Sequence, residues 1–255
     1  MTAKLQPLLM RSPLDSARFG LEIWRGHVRG SQLSGLWQEI SLSQPDVAIF
    51  RTPAEDIRAM SQFQGPRGLL IHADTLVYYS RDLGGTAIPP VTRNPQLYRE
   101  GNENDAPELR DVTARVFSDY QNHYHANPLF PPSLILAGYE EWAANHLRPG
   151  GATRTWVATH EDSIIGFICC SFDREAGTAE IVLNGVLREH AGKGIYGDLV
   201  RIAQANFAKM GMRAISVSTQ VGNYAVQRVW SREGMRLSHA FDTWHINAML
   251  SHGRA

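Results

Sequence analysis

Between Glu108 and Tyr120, the apolar residues Leu109, Val112, Val116 and Phe117 recur at three- and four-residue steps, which predicts a helix with one buried stripe. Leu134 to Leu147 predicts a second helix, stopped by Pro149-Gly150-Gly151. The pattern then changes period. Thr153 to His160 and Ser163 to Phe172 read as two antiparallel strands joined at Glu161-Asp162, and Gly177 to Leu187 reads as a third strand. Helical spacing returns from Asp198 to Lys209, followed by a strand over Ala214 to Gln220, a helix after Asn223, and a last strand from Ser238 to Met249. Upstream, Leu33 to Leu42 predicts a helix and Asp46 to Phe50 a short strand. Ala54 to Gln64 reads as a helix with Glu55 and Asp56 in its first turn, and Leu69 to His72 and Thr75 to Tyr79 as two strands. This alternation predicts an α/β protein. The turn-rich stretch from Gly84 to Pro95 predicts a linker, so the expected organisation is a small α/β domain over 1–90 and a larger domain over 95–255.

Composition narrows the function. The 255 residues are 43% hydrophobic and 20% charged, with a formal net charge of +0, which argues against a nucleic-acid or membrane surface. The start, Met1-Thr-Ala-Lys-Leu-Gln-Pro7, lacks an apolar leader, so a cytoplasmic location is expected. The two cysteines, Cys169 and Cys170, are neighbours in a predicted strand, point to opposite faces and cannot pair.

The chemistry concentrates between a strand and a helix, where Val186 to Gly197 read Val-Leu-Arg-Glu-His-Ala-Gly-Lys-Gly-Ile-Tyr-Gly. Gly192, Gly194 and Gly197 allow a sharp turn and exposed backbone N–H groups. A helix start adds unpaired donors and a positive dipole end, so the loop suits a diphosphate. A plain tight turn is the competing reading. Lys193 precedes Gly194 where a Walker loop would have the lysine after its last glycine, and no acidic strand end follows as a dinucleotide fingerprint requires.

The stretch resembles motif A of the GNAT N-acetyltransferases, in which a strand-end Val leads to Arg/Gln-x-x-Gly-x-Gly/Ala at a helix start. Val186 and Gly194 match, while Ala191 stands where Arg or Gln is preferred and Tyr196 where the second small residue falls. A second family pattern follows at the proper distance in Asn223, Trp230, Gly234 and Met235. The resemblance implies a mixed central sheet flanked by helices, with acyl-CoA as co-substrate and no metal. It implies a diphosphate held by Gly192, Lys193, Gly194, Ile195, Tyr196 and Gly197. It also implies a pantetheine arm paired with a splayed strand at Leu183, Val186 and Leu187, and Asn223 bonded to the pantetheine end. Asn223 also reads as a helix N-cap.

Attack of an amine on a thioester needs a base for the amine proton and an acid for the thiolate. Many family members place a Tyr acid where this chain has Trp230, and an indole N–H cannot do that work. Candidate bases are Glu180 and Asn184, on one strand face, and His123 and His125 in the aromatic loop Asn122 to Pro132. For each, a solvated carboxylate or a hydrogen-bonded loop histidine is the plainer alternative. Asp15 to Gly20, Gly138 to Trp142 and Ser218 to Asn223 resemble two-domain enzymes of the dTDP-fucosamine N-acetyltransferase type. That likeness implies a dTDP-linked amino-dideoxysugar as acceptor, a role in surface polysaccharide (O-antigen) synthesis, and a homodimer. Another amine, such as an aminoglycoside, polyamine or peptide, and a non-catalytic acyl-CoA-binding module remain open.

Overall fold

The computed structural model describes residues 7–63, 69–85 and 97–248. Most of the expected linker, past Gly85, and the Met249 end of the last strand lie outside the described residues. The chain forms two compact units that interleave along the sequence, residues 1–76, 121–135 and 239–255 in unit 1, and 77–120 and 136–238 in unit 2. The aromatic loop and the end of the last strand group with the N-terminal stretch.

Unit 1 contains β1 (Met10–Arg11), α1 (Pro13–Phe19), β2 (Ile23–His27), α2 (Leu33–Ser43), β3 (Val47–Pro53), α3 (Ile57–Gln62), the first half of β4 (Leu70–Asp82) and most of β10 (Arg236–Ile246). Its strands run in the order β1-β2-β3-β10-β4, with β2 parallel to β3 and β10 antiparallel to it. Helix α2 buries Leu33, Leu36 and Ile40, spaced i, i+3, i+7, in a cluster with Leu9, Ala48, Phe50 and Ile246. The predicted helix over 54–64 is divided. A 3-10 turn over Ala54–Asp56 precedes α3, and the Asp56 carboxylate there accepts the Gly30 N–H at 2.7 Å. The two strands expected around Ala73-Asp74 are one continuous β4. Neither Gly nor Pro breaks it there, and Thr75 Oγ1 donates to Asp242 on β10 at 2.6 Å.

Unit 2 contains the second half of β4, β5 (Tyr98–Glu100), α4 (Ala106–Phe117), most of α5 (Pro132–Asn145), β6 (Thr153–His160), β7 (Ser163–Asp173), β8 (Thr178–Val186), α6 (Ile195–Lys209), β9 (Ala214–Gln220) and α7 (Tyr224–Arg232). The strand order is β4-β9-β8-β7-β6-β5, all antiparallel from β5 to β8, with β9 parallel to β8. Glu161 and Asp162 join β6 to β7 with φ of 49° and 63°, the left-handed pair that a two-residue hairpin needs. Helix α6 drives Leu199, Ala203 and Phe207 into the core, all fully buried, where Phe207 meets Trp156 edge-on at 5.7 Å. Burying a side chain of that size contributes roughly 1.5–3 kcal/mol. Among the described residues, no helix is long and apolar enough to cross a membrane.

One close approach fixes β8. A Cβ on Gly185 would lie 2.3 Å from Val116 Cγ1 on α4. Val116 is β-branched and partly buried against the core, and a helix strongly favours one of its rotamers. Gly185→Ala is therefore expected to destabilise the fold by about 1–3 kcal/mol, read as a lower midpoint in chemical denaturation. An unchanged midpoint would show that α4 does not press on β8.

Candidate functional site

The site grows from the point where two strands part. The parallel ladder between β8 and β9 runs from Thr178↔Ala214 to Ile181↔Val217 and ends there, although β8 continues to Val186 and β9 to Gln220. At the same level β8 carries an extra residue against β7, because Cys169 faces Leu183 while Cys170 faces Ile181. That is a β-bulge at Val182. Beyond the bulge, β8 stays paired on its β7 side, with Gly166 opposite Val186, and the Leu187 N–H donates to the Ile165 carbonyl at 2.8 Å. Bonded and non-bonded pairs alternate along an antiparallel ladder. Leu187, Gly185 and Leu183 thus turn their backbone groups towards β7, and Val186 and Asn184 turn theirs to the side where the β9 ladder has ended. Leu183 and Leu187 are also core side chains, each 4% exposed. Of the three strand residues expected to hold pantetheine, only Val186 presents a free backbone edge, and Asn184 joins it.

The chain then passes through a 3-10 turn at Arg188–His190 into the glycine loop. Gly192 and Gly194 take φ of 77° and 84°, and a Cβ at either would meet nothing within 4 Å, so the loop is open on its outer side. Ala191, Gly192, Lys193 and Gly194 are all exposed. Gly194 is the N-cap of α6, which places the helix's unpaired N–H groups at the loop. Ile195 is buried and offers only its backbone. Gly197 has a different use, since a Cβ there would come within 2.8 Å of Glu233 Oε1. Arg201 fixes that contact by donating to Glu233 at 2.6 Å and to the buried Asp198 at 2.6 Å, while the Tyr98 hydroxyl donates to Asp198 at 2.8 Å. These bonds tie the first turns of α6 to the end of α7.

Asn223 is the N-cap of α7 but makes no side-chain cap bond. Its amide donates to Thr219 Oγ1 at 3.1 Å. Two departures from the family pattern meet each other. The Trp230 indole, 1% exposed, donates to the Tyr196 hydroxyl at 2.7 Å. Burial raises the Tyr196 phenol above its ordinary pKa, against the lowering effect of the indole bond. Nearby, the Tyr120 hydroxyl donates to Gln220 at the end of β9, and Tyr139 stacks on Phe117 at 4.5 Å. Sequence reasoning missed Tyr120, Gln220 and the acid role open to Tyr196. The available clue was that Tyr196 and Trp230, each weighed alone, are both oversized for their places.

Glu180 and Asn184 occupy part-exposed positions of β8, alternating with buried Ile181 and Leu183. Glu180 stands close enough to Cys170 to help burial raise that thiol's pKa. Both cysteines are free and fully buried, and burial pushes Cys169 up to about 12, which removes them as nucleophiles. His123 and His125 belong to unit 1. His123 is 6% exposed with Nδ1 2.9 Å from His245 Nε2, and burial holds it well below its ordinary value. His125 turns back onto Asn122, whose N–H it accepts at 3.2 Å. Both histidines are held by hydrogen bonds within unit 1. Among the described residues no cluster of three or more His, Cys, Asp or Glu is disposed to hold a metal.

A mixed sheet that opens between two parallel strands, with a glycine loop and helix start at its mouth, is the layout of an acyl-CoA-dependent acyltransferase. Residues 115–235 match the acetyltransferase (GNAT) family. None of the curated proteins matches the chain. Among solved structures, a GCN5-related N-acetyltransferase from Sphaerobacter thermophilus aligns over 93% of this chain and 74% of its own, at 16% identity and a TM-score of 0.59. A functionally unknown conserved protein from Staphylococcus epidermidis aligns over 95% and 92%, at 12% identity and 0.61. A GNAT-family acetyltransferase from Colwellia psychrerythraea aligns over 85% and 72%, at 12% and 0.55. At these identities the structures speak for the fold. Over residues 115–235 the chain is thus similar to GNAT acetyltransferases, which supports an acyl-CoA-dependent N-acyltransferase, and the solved structures share its fold.

Gly194→Val places a β-branched side chain at φ 84°, which costs roughly 1–2 kcal/mol, and puts bulk over the loop. Titration calorimetry should show CoA binding at least about tenfold weaker. Unaltered affinity would move the diphosphate elsewhere.

Proposed function

We propose that the protein transfers an acyl group from acyl-CoA to the amine of a dTDP-linked 3- or 4-amino-dideoxyhexose, in the cytoplasm, for surface polysaccharide synthesis. The donor half rests on one observation above all, the end of the β8–β9 ladder at Ile181 and Val217. A pantetheine arm carries amides that pair with a strand edge as a peptide does. The backbone groups of Asn184 and Val186 face that gap, Asn223 stands at its β9 side, and Gly192 to Tyr196 supply N–H groups for the diphosphate. The acceptor half rests on the resemblance of Asp15 to Gly20, Gly138 to Trp142 and Ser218 to Asn223 to sugar-nucleotide acyltransferases.

In this reading the amine nitrogen attacks the thioester carbonyl carbon, and the Val186 N–H stabilises the oxyanion. Glu180 takes the amine proton, directly or through water. When the C–S bond breaks, the thiolate takes the Tyr196 phenol proton, and the Trp230 indole N–H bonds the phenolate oxygen left behind. Trp230 is then a positioning residue for Tyr196.

The test is thiol release measured over a matrix of acyl-CoAs of rising length against a dTDP-amino sugar, an aminoglycoside, a polyamine and a lysine peptide. Release with the dTDP-amino sugar alone is the expected outcome. Release with another amine instead would replace the acceptor, and tight CoA binding with no release from any of them would favour a binding module. In the responsive pair, Glu180→Gln should lower kcat about 10²-fold while leaving the acyl-CoA Kd unchanged. Full turnover in that variant would remove Glu180 as the base.

A further inference from the structure

Unit 1 has a second concave site of its own. A cavity of ≈ 280 Å³ is lined by His27, Arg29, Arg51, Glu55, His239 and Phe241, among others. The sheet explains why these side chains converge. The β2–β3 register sets His27 beside Arg51, and the β3–β10 register sets Arg51 beside Thr243 and Pro53 beside Phe241. Alternation along strands then puts Arg25, His27, Arg51, Phe241, Thr243 and His245 on one face. The other face carries Ala48, Phe50 and Ile246, which join the apolar cluster, together with Asp242, which binds Thr75 and His72. The three strands therefore place no carboxylate on the face where their arginines and histidines gather.

That face divides into two regions. Towards Arg25, the positive charge is matched. Asp15 on α1 accepts from Arg25 at 2.9 Å, and the Tyr124 hydroxyl bonds both, at 3.0 Å from each. Beyond it the face is sealed by His245, His123 and Asn127. Towards Arg51 it opens into the cavity, whose lining holds Arg29, Arg51 and Glu55. One wall is aromatic, because His27 and His239 each meet Phe241 edge-on, at 5.2 and 5.3 Å. Burial, then Arg51, then Arg25 hold the His27 pKa below its ordinary value. Beside Arg51, Thr243 Oγ1 is enclosed without a hydrogen-bond partner among the described residues.

We propose that this cavity binds a small organic anion carrying a flat ring, with its carboxylate or phosphate on Arg51 and Arg29 and its ring against Phe241, His27 and His239. Guanidinium groups grip planar oxyanions through two parallel bonds. Aromatic rings accept a flat partner edge-on or offset. The volume lies at the lower end of ordinary small-ligand pockets, which suits a single ring with one anionic group. The residues lining the cavity are all in unit 1 and include none of the acyl-CoA loop and none of the segments that carry the acceptor resemblance.

The groups facing His27 are Arg25 on its own strand, Arg51 from β3, Phe241 and His239 from β10, and Arg29 and Glu55 at the cavity rim. A bound anion adds negative charge to this set and raises the His27 pKa. Binding then takes up protons and tightens as pH falls.

The experiment is titration calorimetry on the full chain with benzoate, thymidine 5′-monophosphate and inorganic phosphate, at two pH values and in two buffers of different ionisation heat. At least one ring-bearing anion should bind with a Kd near or below about 1 mM, more tightly at the lower pH and with proton uptake. Preference between benzoate and the nucleotide separates carboxylate from phosphate. Arg51→Met should weaken binding about tenfold, and Glu55→Gln should strengthen it. Arg29 is exposed, so Arg29→Met keeps the fold and must also weaken binding. Absence of binding by both ring-bearing anions, equal binding of inorganic phosphate, or undiminished affinity in Arg29→Met would each overturn the proposal. Because the readout is binding and not turnover, failure here leaves the acyltransferase reading untouched, and the reverse holds as well.

Discussion

Backbone hydrogen bonding governs unit 2 through a place where it stops. Strands β8 and β9 pair for four residues and then separate, while β8 keeps its bonds to β7. A strand edge with unpaired N–H and C=O groups in the middle of a sheet is costly unless something else pairs with it. Here the bulge at Val182, the Val116 side chain against Gly185 and the apolar anchors Leu183 and Leu187 hold β8 in place, so the gap cannot close by the strand drifting across. The glycine loop and the start of α6 stand at the end of that gap. Arg201, bonded to Asp198 and Glu233, keeps α6 fixed against α7. The gap between β8 and β9 is thus a defect in the sheet that the surrounding packing preserves.

The Tyr196–Trp230 bond shows how two deviations from a motif make sense together. Tyr196 stands where a small residue is expected, and Trp230 where a tyrosine is. In the fold the indole N–H reaches the phenol oxygen, so the hydroxyl missing from α7 is present on α6. An indole cannot supply a proton at a useful pKa, but it can hold and stabilise a phenol oxygen.

Much of unit 2 was legible because its strands alternate and its helices keep a clear apolar stripe. The span Ala214–Gln220 agrees with β9 to the residue, and α6 ends at Lys209 as its spacing indicates. The glycine loop was legible from Gly192 and Gly194, whose positive φ values only glycine adopts without strain. Three features were hidden for physical reasons. Which of Val186 and Leu187 presents a free backbone edge depends on the ladder register, and neighbouring residues look alike in sequence. The surroundings of His123 are hidden because a one-dimensional pattern does not show His245, 122 residues away, closing over it. The interleaving of the two units was hidden because linkers are found by composition, whereas the Asn122 to Pro132 loop is drawn into unit 1 by Tyr124, Phe130 and Asn127 meeting Phe19, Arg25 and His245.

In the proposed function acyl-CoA pairs with the open edge of β8. Amide hydrogen exchange, resolved to single residues with and without a non-hydrolysable acyl-CoA, tests it most directly. The free protein should exchange the Val186 amide rapidly and the Leu187 amide slowly, since Leu187 is already bonded to Ile165. Bound acyl-CoA should slow Val186 and the Gly192 to Tyr196 amides and leave Leu187 unchanged. Protection of the loop with no change at Val186 would contradict the claim, and would place the pantetheine arm away from the gap between β8 and β9.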